Sequence, residues 1–238
     1  MQTFLKKIKK HLFSQTESAV NKFQKISFSQ SGEDLIVKYI FDNLGISKPS
    51  YLDVGAHDPF YISNTALFYQ NGSVGINIEP DPTLFEAFVK ERKNDQNLNI
   101  GISNKEDVLD FYVISSPTLN TFSKEEADNY KNEGNYKIER VEKIKVKTLS
   151  NVLDEFCDGI FPQFLSIDAE GVDELIIKEI DFEKNFPIVI CIETISFSTS
   201  GNGSKNTNLI QFIEQNGYLL YADTNINSIF VRESYWKR

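Results

Sequence analysis

The chain has 238 residues, 40% of them apolar and 25% charged, which suits one large domain with a substantial core. Its formal net charge of −9 is uneven: residues 1–25 carry +5, from six Lys and one Glu, which leaves −14 on the remainder. That acidic body excludes a protein that wraps nucleic-acid phosphates, and no run approaches the ~20 apolar residues of a membrane-spanning helix.

The opening stretch "MQTFLKKIKKHLF" repeats Phe4, Leu5, Ile8 and Leu12 at helical spacing with lysines between them. Such a stretch either lies on an anionic membrane surface through residues 4–13, or packs or frays as an ordinary terminal helix. Residues 1–25 therefore read as a basic extension and residues 26–238 as the domain proper. No long apolar stretch follows the lysines, so no signal peptide is expected. The expected location is cytoplasmic, with the inner face of the membrane as the alternative station. Cys157 and Cys191 lie in apolar surroundings without metal-type spacing and read as buried thiols.

Seven short apolar segments follow as expected strands: "SYLDVGA", "VGINIEP", "LNIGIS", "QFLSIDAEG", "PIVICIET", "YLLYAD" and "SIFVRE". Helical patterns lie between many of them. "DPTLFEAFVKERKND" puts Leu84, Phe85, Phe88 and Val89 on one face; "VDELIIKEI" and "TNLIQFIEQNG" behave alike, the latter stopped by Gly217. Strand alternating with helix predicts an α/β domain, with a mostly parallel sheet covered on both faces. "DVLDFYVI" and "RVEKIKVKTL" alternate instead like antiparallel strands. They bound an insertion of about residues 108–148, either a lid or substrate wall or a surface decoration. The last two strands, joined by "TNIN", form an antiparallel hairpin.

Ligands of open α/β sheets bind beyond the carboxyl ends of the strands. The first strand delivers "DVGAHDP". Its single Gly55, followed by Ala56 and His57, is not the GxGxxG of a dinucleotide site. One glycine suits a smaller adenosyl ligand, brought close to the backbone because no side chain intervenes. Asp53, a costly carboxylate inside an apolar run, orients this loop or accepts a hydrogen bond from the ligand's ammonium. Glu79, at the end of the second strand, stands where a carboxylate accepts from both ribose hydroxyls. "SIDAEGVDE" crowds Asp168, Glu170 and Asp173 at a helix start, and "CIET" adds Glu193. Close carboxylates hold protons or bind a cation. Asp168 and Glu193 are therefore candidate ligands of Mg2+ or another divalent metal, and Asp168 is a candidate general base. His57 takes a hydroxyl proton or caps the loop.

"SQSGEDLIVKYIF", "YLDVGAHDPFYISNT", "GINIEPDP", "FLSIDAEGVDELII" and "VICIET", in this order, resemble the FkbM-like methyltransferases from about Phe28 to Val231. The resemblance implies a class I methyltransferase fold: a Rossmann-like, seven-stranded, mostly parallel sheet with an antiparallel C-terminal hairpin. It also implies S-adenosyl-L-methionine as methyl donor. On that likeness Gly55, Ala56 and His57 face the methionine part, Glu79 holds the ribose, and Ile102 and Ser103 flank the adenine. Gln30, Glu33 and Asp34 would close over the donor, Asn64 and Thr65 would reach it, and Asp168 would be the active-site acid. Many relatives carry Asn where this chain has His57.

The activity so implied is O-methyl transfer to a sugar hydroxyl of a surface polysaccharide or its precursor. Asp168 or His57 would take the proton, and Phe122, Tyr130 and Tyr136 would offer stacking faces to the sugar. Two other readings remain open from the sequence: a non-catalytic subunit that only binds the donor, and an NAD-dependent sugar oxidoreductase.

Overall fold

The computed structural model describes residues 22–133, 136–169, 171–195 and 203–236. The amphipathic stretch 4–13 and Glu170 lie outside them. In chain order, α1 (Glu33–Leu44), β1 (Tyr51–Val54), α2 (Ala66–Gln70), β2 (Gly75–Ile78), α3 (Pro82–Glu91) and β3 (Gln96–Leu98) form the first half. An insertion follows, with β4 (Gly101–Ile102), β5 (Asp107–Ile114), a 3-10 turn (Pro117–Leu119), α4 (Lys124–Glu133) and β6 (Ile138–Lys147). The second half holds α5 (Leu149–Phe156), β7 (Phe164–Ile167), α6 (Asp173–Lys178), β8 (Val189–Glu193), α7 (Thr207–Gln215), β9 (Tyr218–Asp223), β10 (Asn227–Arg232) and α8 (Glu233–Trp236).

The main sheet runs β3-β2-β1-β7-β8-β10-β9. Its first five strands are parallel, and β10 is antiparallel to both β8 and β9. Chain order reverses at β1, so the crevice for a ligand opens beyond β1 and β7. Residue parity along each strand divides two apolar cores. Leu52, Val54, Ile78, Leu165 and Ile167 pack with Ile176, Ile177 and Ile213 on one face. Tyr51, Phe164, Val189 and Cys191 pack with Val37, Ile40, Phe41 and Phe68 on the other. Strands β1, β2 and β7 are buried at every residue, as a doubly covered sheet requires.

Two expectations need correction. "LNIGIS" is not one strand: Leu98 ends β3 in the main sheet, while Gly101 and Ile102 cross to a second sheet of order β4-β6-β5. A Cβ on Gly101 would come within 2.3 Å of the Phe122 ring, so only glycine lets the chain pass there. On α3 the buried stripe is narrower than the spacing predicts: Phe88 is fully buried but Val89 is 51% exposed. That helix packs on the edge strand β3, which offers less surface to cover. Cys191 is buried and Cys157 half-buried, both as free thiols. Among the described residues no helix is long and apolar enough to cross a membrane.

Candidate functional site

Register builds the site. Asp53 on β1 pairs with Asn77 on β2 and with Ser166 on β7, so the three strands end level. The amides of Gly55 and Ala56 donate to the Ile78 carbonyl at 3.0 and 3.1 Å, and that of Asp168 donates to Val54 at 3.0 Å. These bonds gather Gly55, Glu79 and Asp168 around one cleft of about 830 Å³, counting its open mouth.

Gly55 serves another purpose than expected. Its φ is +76°, and a Cβ there would lie 1.8 Å from the Asp168 carbonyl oxygen. The glycine is demanded by the approach of β7, with its bearing on a ligand secondary. Two other wall residues, His57 (φ +57°) and Ile62 (φ +52°), hold left-handed backbones. For a β-branched side chain this costs about 1–2 kcal/mol, so strain sits on the cleft wall.

Glu79 is buried in the wall. Its Oε2 accepts from the His57 amide at 2.8 Å and its Oε1 from the Asp81 amide at 2.7 Å. Burial pushes its carboxyl up to about 8 despite those two bonds, with the charges of Asp81 and Asp53 adding to the rise. Asp53, also buried, is raised by burial too, and is opposed by Thr65 and the charge of Arg92. The Thr65 hydroxyl donates to Asp53 at 2.6 Å and accepts from both terminal nitrogens of Arg92, at 3.0 and 2.9 Å. Arg92 is fully buried and also donates to Asp95 at 3.0 Å and to the Tyr51 hydroxyl at 2.8 Å. Thr65 therefore stands behind Asp53, off the cleft wall. It positions Asp53, and the expectation that it reaches the ligand is corrected. Asn64 does line the cleft, donating to Ser166 at 3.3 Å and to the Cys191 sulfur at 3.6 Å.

The three residues expected over the donor are not among those lining the cleft, although Glu33 stands close enough for its charge to act on Asp168. Gln30 is exposed. Glu33 accepts from the Ser31 amide at 2.7 Å, the Thr224 hydroxyl at 2.7 Å and the Asn227 amide at 3.2 Å. Asp34 accepts from Ser27 at 2.6 Å, the Phe28 amide at 2.7 Å and Ser29 at 3.0 Å. Asp34 ties down its own segment, and Glu33 joins that segment to Thr224 and Asn227 at the β9–β10 turn. Ile102 is on the wall, whereas Ser103 is off it, its amide donating to the Lys147 carbonyl at 2.9 Å.

Asp168 sits half-buried on the cleft floor. Burial first, then the charges of Asp173, Asp53 and Glu33, push its carboxyl up to about 7. Asp173 turns inward and accepts from the Ala169 amide at 2.9 Å. Glu193 does not join Asp168 in the cleft; it lines an adjoining hollow with Asp173 and Glu174. Among the described residues no three His, Cys, Asp or Glu side chains converge to hold a metal ion, and Asp168 and Glu193 line different hollows. His57 lines the cleft, and burial pushes its imidazole down, against Asp58 and Asp81.

The insertion forms the facing wall, with Phe111, Pro117, Thr118, Asn120 and Phe122. The rings of Phe111 and Phe122 lie 4.7 Å apart. Tyr130 and Tyr136, expected as stacking faces, pack instead with Ile114, Leu119 and Ala127 inside the insertion's own core. Sequence reasoning also missed Arg92, Asp81 and Arg140. Arg92 falls in "ERKND", which has the composition of a solvated helix end, and nothing local marks it as buried.

Asp53, Glu79 and Asp168 line this cleft, and among the described residues no Lys or Arg does. A cationic nucleoside with a diol fits such a set, because its charge favours the ionised form of these raised carboxyls; a pyrophosphate would meet acidic groups and, among the described residues, no Lys or Arg.

The sequence pattern of the methyltransferase FkbM domain matches residues 53–220. No curated protein is significantly similar in sequence. Among solved structures, a TehB-like SAM-dependent methyltransferase from Corynebacterium glutamicum is 11% identical with a TM-score of 0.43, over 94% of this chain and 97% of that one. A candidate caffeoyl-CoA O-methyltransferase from Staphylococcus aureus is 11% identical with a TM-score of 0.46, over 97% and 98%.

Proposed function

This chain belongs to the methyltransferase FkbM family, whose members are SAM-dependent methyltransferases, and on that premise we propose O-methyl transfer to a sugar hydroxyl of a surface polysaccharide or its precursor. The observation that carries the reading is the cleft itself, with acidic side chains on the sheet side, aromatic rings on the insertion side and, among the described residues, no Lys or Arg in the wall. S-adenosylmethionine, when bound, supplies a methyl carbon already activated by its sulfonium charge.

The chain's own groups divide the remaining work. Each Glu79 oxygen accepts one backbone N–H and keeps capacity for a ribose hydroxyl. Ile102 and Leu84 present apolar surface to the base. Asp53, held by the Thr65 hydroxyl that Arg92 in turn fixes, would supply negative charge to the positive end of the donor. Phe111 and Phe122 offer ring faces to a sugar. Asp168 takes the hydroxyl proton on its carboxylate oxygen, its value of about 7 suiting a base near neutrality. Neutral His57 is the second group on the wall able to accept a proton. Free thiols at Cys157 and Cys191 accord with a cytoplasmic place of action.

The test is to incubate the enzyme and S-adenosylmethionine with nucleotide sugars and with capsule and lipopolysaccharide fragments, following S-adenosylhomocysteine release and acceptor mass. Asp168→Asn is expected to slow transfer by about 10²–10⁴-fold with S-adenosylhomocysteine affinity retained. Full activity in that variant removes Asp168 from the mechanism. Tight donor binding with no transfer to any acceptor would favour a binding subunit, and tight NAD binding would restore the oxidoreductase reading.

A further inference from the structure

We propose that residues 22–27, with the tip of the 57–63 loop, form a docking face for an anionic lipid surface beside the cleft. Phe23, Ile26 and Tyr61 are 79%, 65% and 65% exposed. The two segments meet: the Ser63 amide donates to the Phe28 carbonyl at 2.9 Å, and the rings of Phe28 and Phe60 are 6.2 Å apart. Ile26 and Tyr61 each lie two residues from that junction. The same loop gives His57, Ile62 and Ser63 to the cleft wall.

Charge selects the occupant. Lys22 and Lys25 are exposed beside Phe23 and Ile26. The sequence ahead of them, outside the described residues, adds Lys6, Lys7, Lys9 and Lys10 among Phe4, Leu5, Ile8 and Leu12. Residues 1–25 carry +5 and the rest −14. An anionic bilayer attracts Lys22 and Lys25 and repels the acidic body, which turns residues 22–27 toward the lipid. Aromatic and aliphatic side chains enter the headgroup layer while lysines remain at its surface. Phe23 and Ile26 stand among lysines, while Tyr61 stands beside Asp58, whose oxygen accepts from the Tyr61 amide at 2.9 Å; separate apolar side chains of this kind match a fluid surface better than a shaped partner. This inference does not depend on the identity of the acceptor.

The full chain is tested by co-sedimentation with vesicles of phosphatidylcholine alone and with added phosphatidylglycerol, at low and high salt. Expected is binding to the anionic vesicles, weakened by salt, and little to the neutral ones. Lys22→Glu with Lys25→Glu lowers the partition roughly tenfold or more. Phe23→Ser, Ile26→Ser and Tyr61→Ser together lower it as well. Both variants keep the parent's affinity for S-adenosylhomocysteine, which reports an intact fold. Equal partition onto neutral and anionic vesicles, or unchanged partition in the variants, overturns the proposal. So does a chain that binds no vesicle and is a dimer made monomeric by the apolar substitutions; the face would then belong to a second copy.

Discussion

Asp81 and Arg140 lie 59 positions apart in the chain, and their side chains meet at 3.0 Å. Asp81 also accepts from the Thr83 amide at 2.8 Å, capping α3, and from the Asn120 amide at 3.1 Å. Its own backbone amide donates to Glu79. One residue thus joins the buried acid of the sheet rim to the wall that the insertion raises against it. The insertion has two small cores of its own and enters the main core at Ile102, and this polar clasp adds a second link between it and the rim.

Arg140→Ala tests that clasp. Arg140 is 38% exposed, so the loss of stability should stay at about 1 kcal/mol or less. The acceptor KM should nevertheless rise by roughly three- to tenfold as the wall loses its register, with a smaller change in kcat. Steady-state kinetics beside a thermal melt measure both, and an unchanged KM would show that the wall stands without the clasp.

Gly55→Ala and Gly32→Ala separate backbone strain from collision. Both glycines have positive φ, +76° and +92°, but nothing lies within 4 Å of a Cβ at Gly32. Gly32→Ala should cost about 1–2 kcal/mol, from conformation alone. Gly55→Ala must also displace the Asp168 carbonyl, and a loss above about 3 kcal/mol is expected. Urea midpoints compare the two; equal losses would mean that β7 yields easily.

The raised carboxyl of Asp168 makes stability fall with pH. Its folded value of about 7 exceeds the ordinary 3.8, so between those limits the native state holds a proton that the unfolded chain has released. Stability is therefore highest at low pH, declines across about 4 to 7, and is flat above for this group. Asp168→Asn removes the decline. The variant should melt near the parent at pH 4 and above it at pH 8, by on the order of 4 kcal/mol. The parent's kcat/KM should climb through pH 7 and the variant's residual rate should not. A variant that melts below the parent at pH 8 contradicts the assignment.

Arg92→Leu tests the support beneath Asp53. It leaves Asp95 and Asp53 in an apolar interior without their cation, and a loss of about 3–5 kcal/mol is expected. Denaturant unfolding reads it. A loss below about 1 kcal/mol would indicate that the acids neutralise themselves by taking up protons.

Much of this was legible from local pattern. Strand runs such as "VICIET" and the "TNIN" hairpin are short-range signals, and they appear as β8 and the β9–β10 pair. Glu79 and Asp168 could be placed at strand ends because a parallel sheet puts those ends on one rim. Where local pattern misled, a partner distant in the chain decided the outcome. "LNIGIS" divides because Phe122 stands beside Gly101, 21 positions on. Thr65 is held off the cleft wall by Arg92, and Glu33 is engaged by Thr224 and Asn227.

By itself, the sequence determined the element order, the parallel sheet with its reversed last strand, and the class of residue presented at each strand end. All of these follow from apolar periodicity and chain connectivity, which act over a few residues. Tertiary structure alone decided which carboxylates face the cleft and which are held by the chain itself. It also decided that the insertion is a wall and that a buried arginine underlies Asp53. Those outcomes depend on burial and on hydrogen-bond partners brought together from far along the chain, and no local pattern encodes the desolvation that sets a side chain's charge and direction.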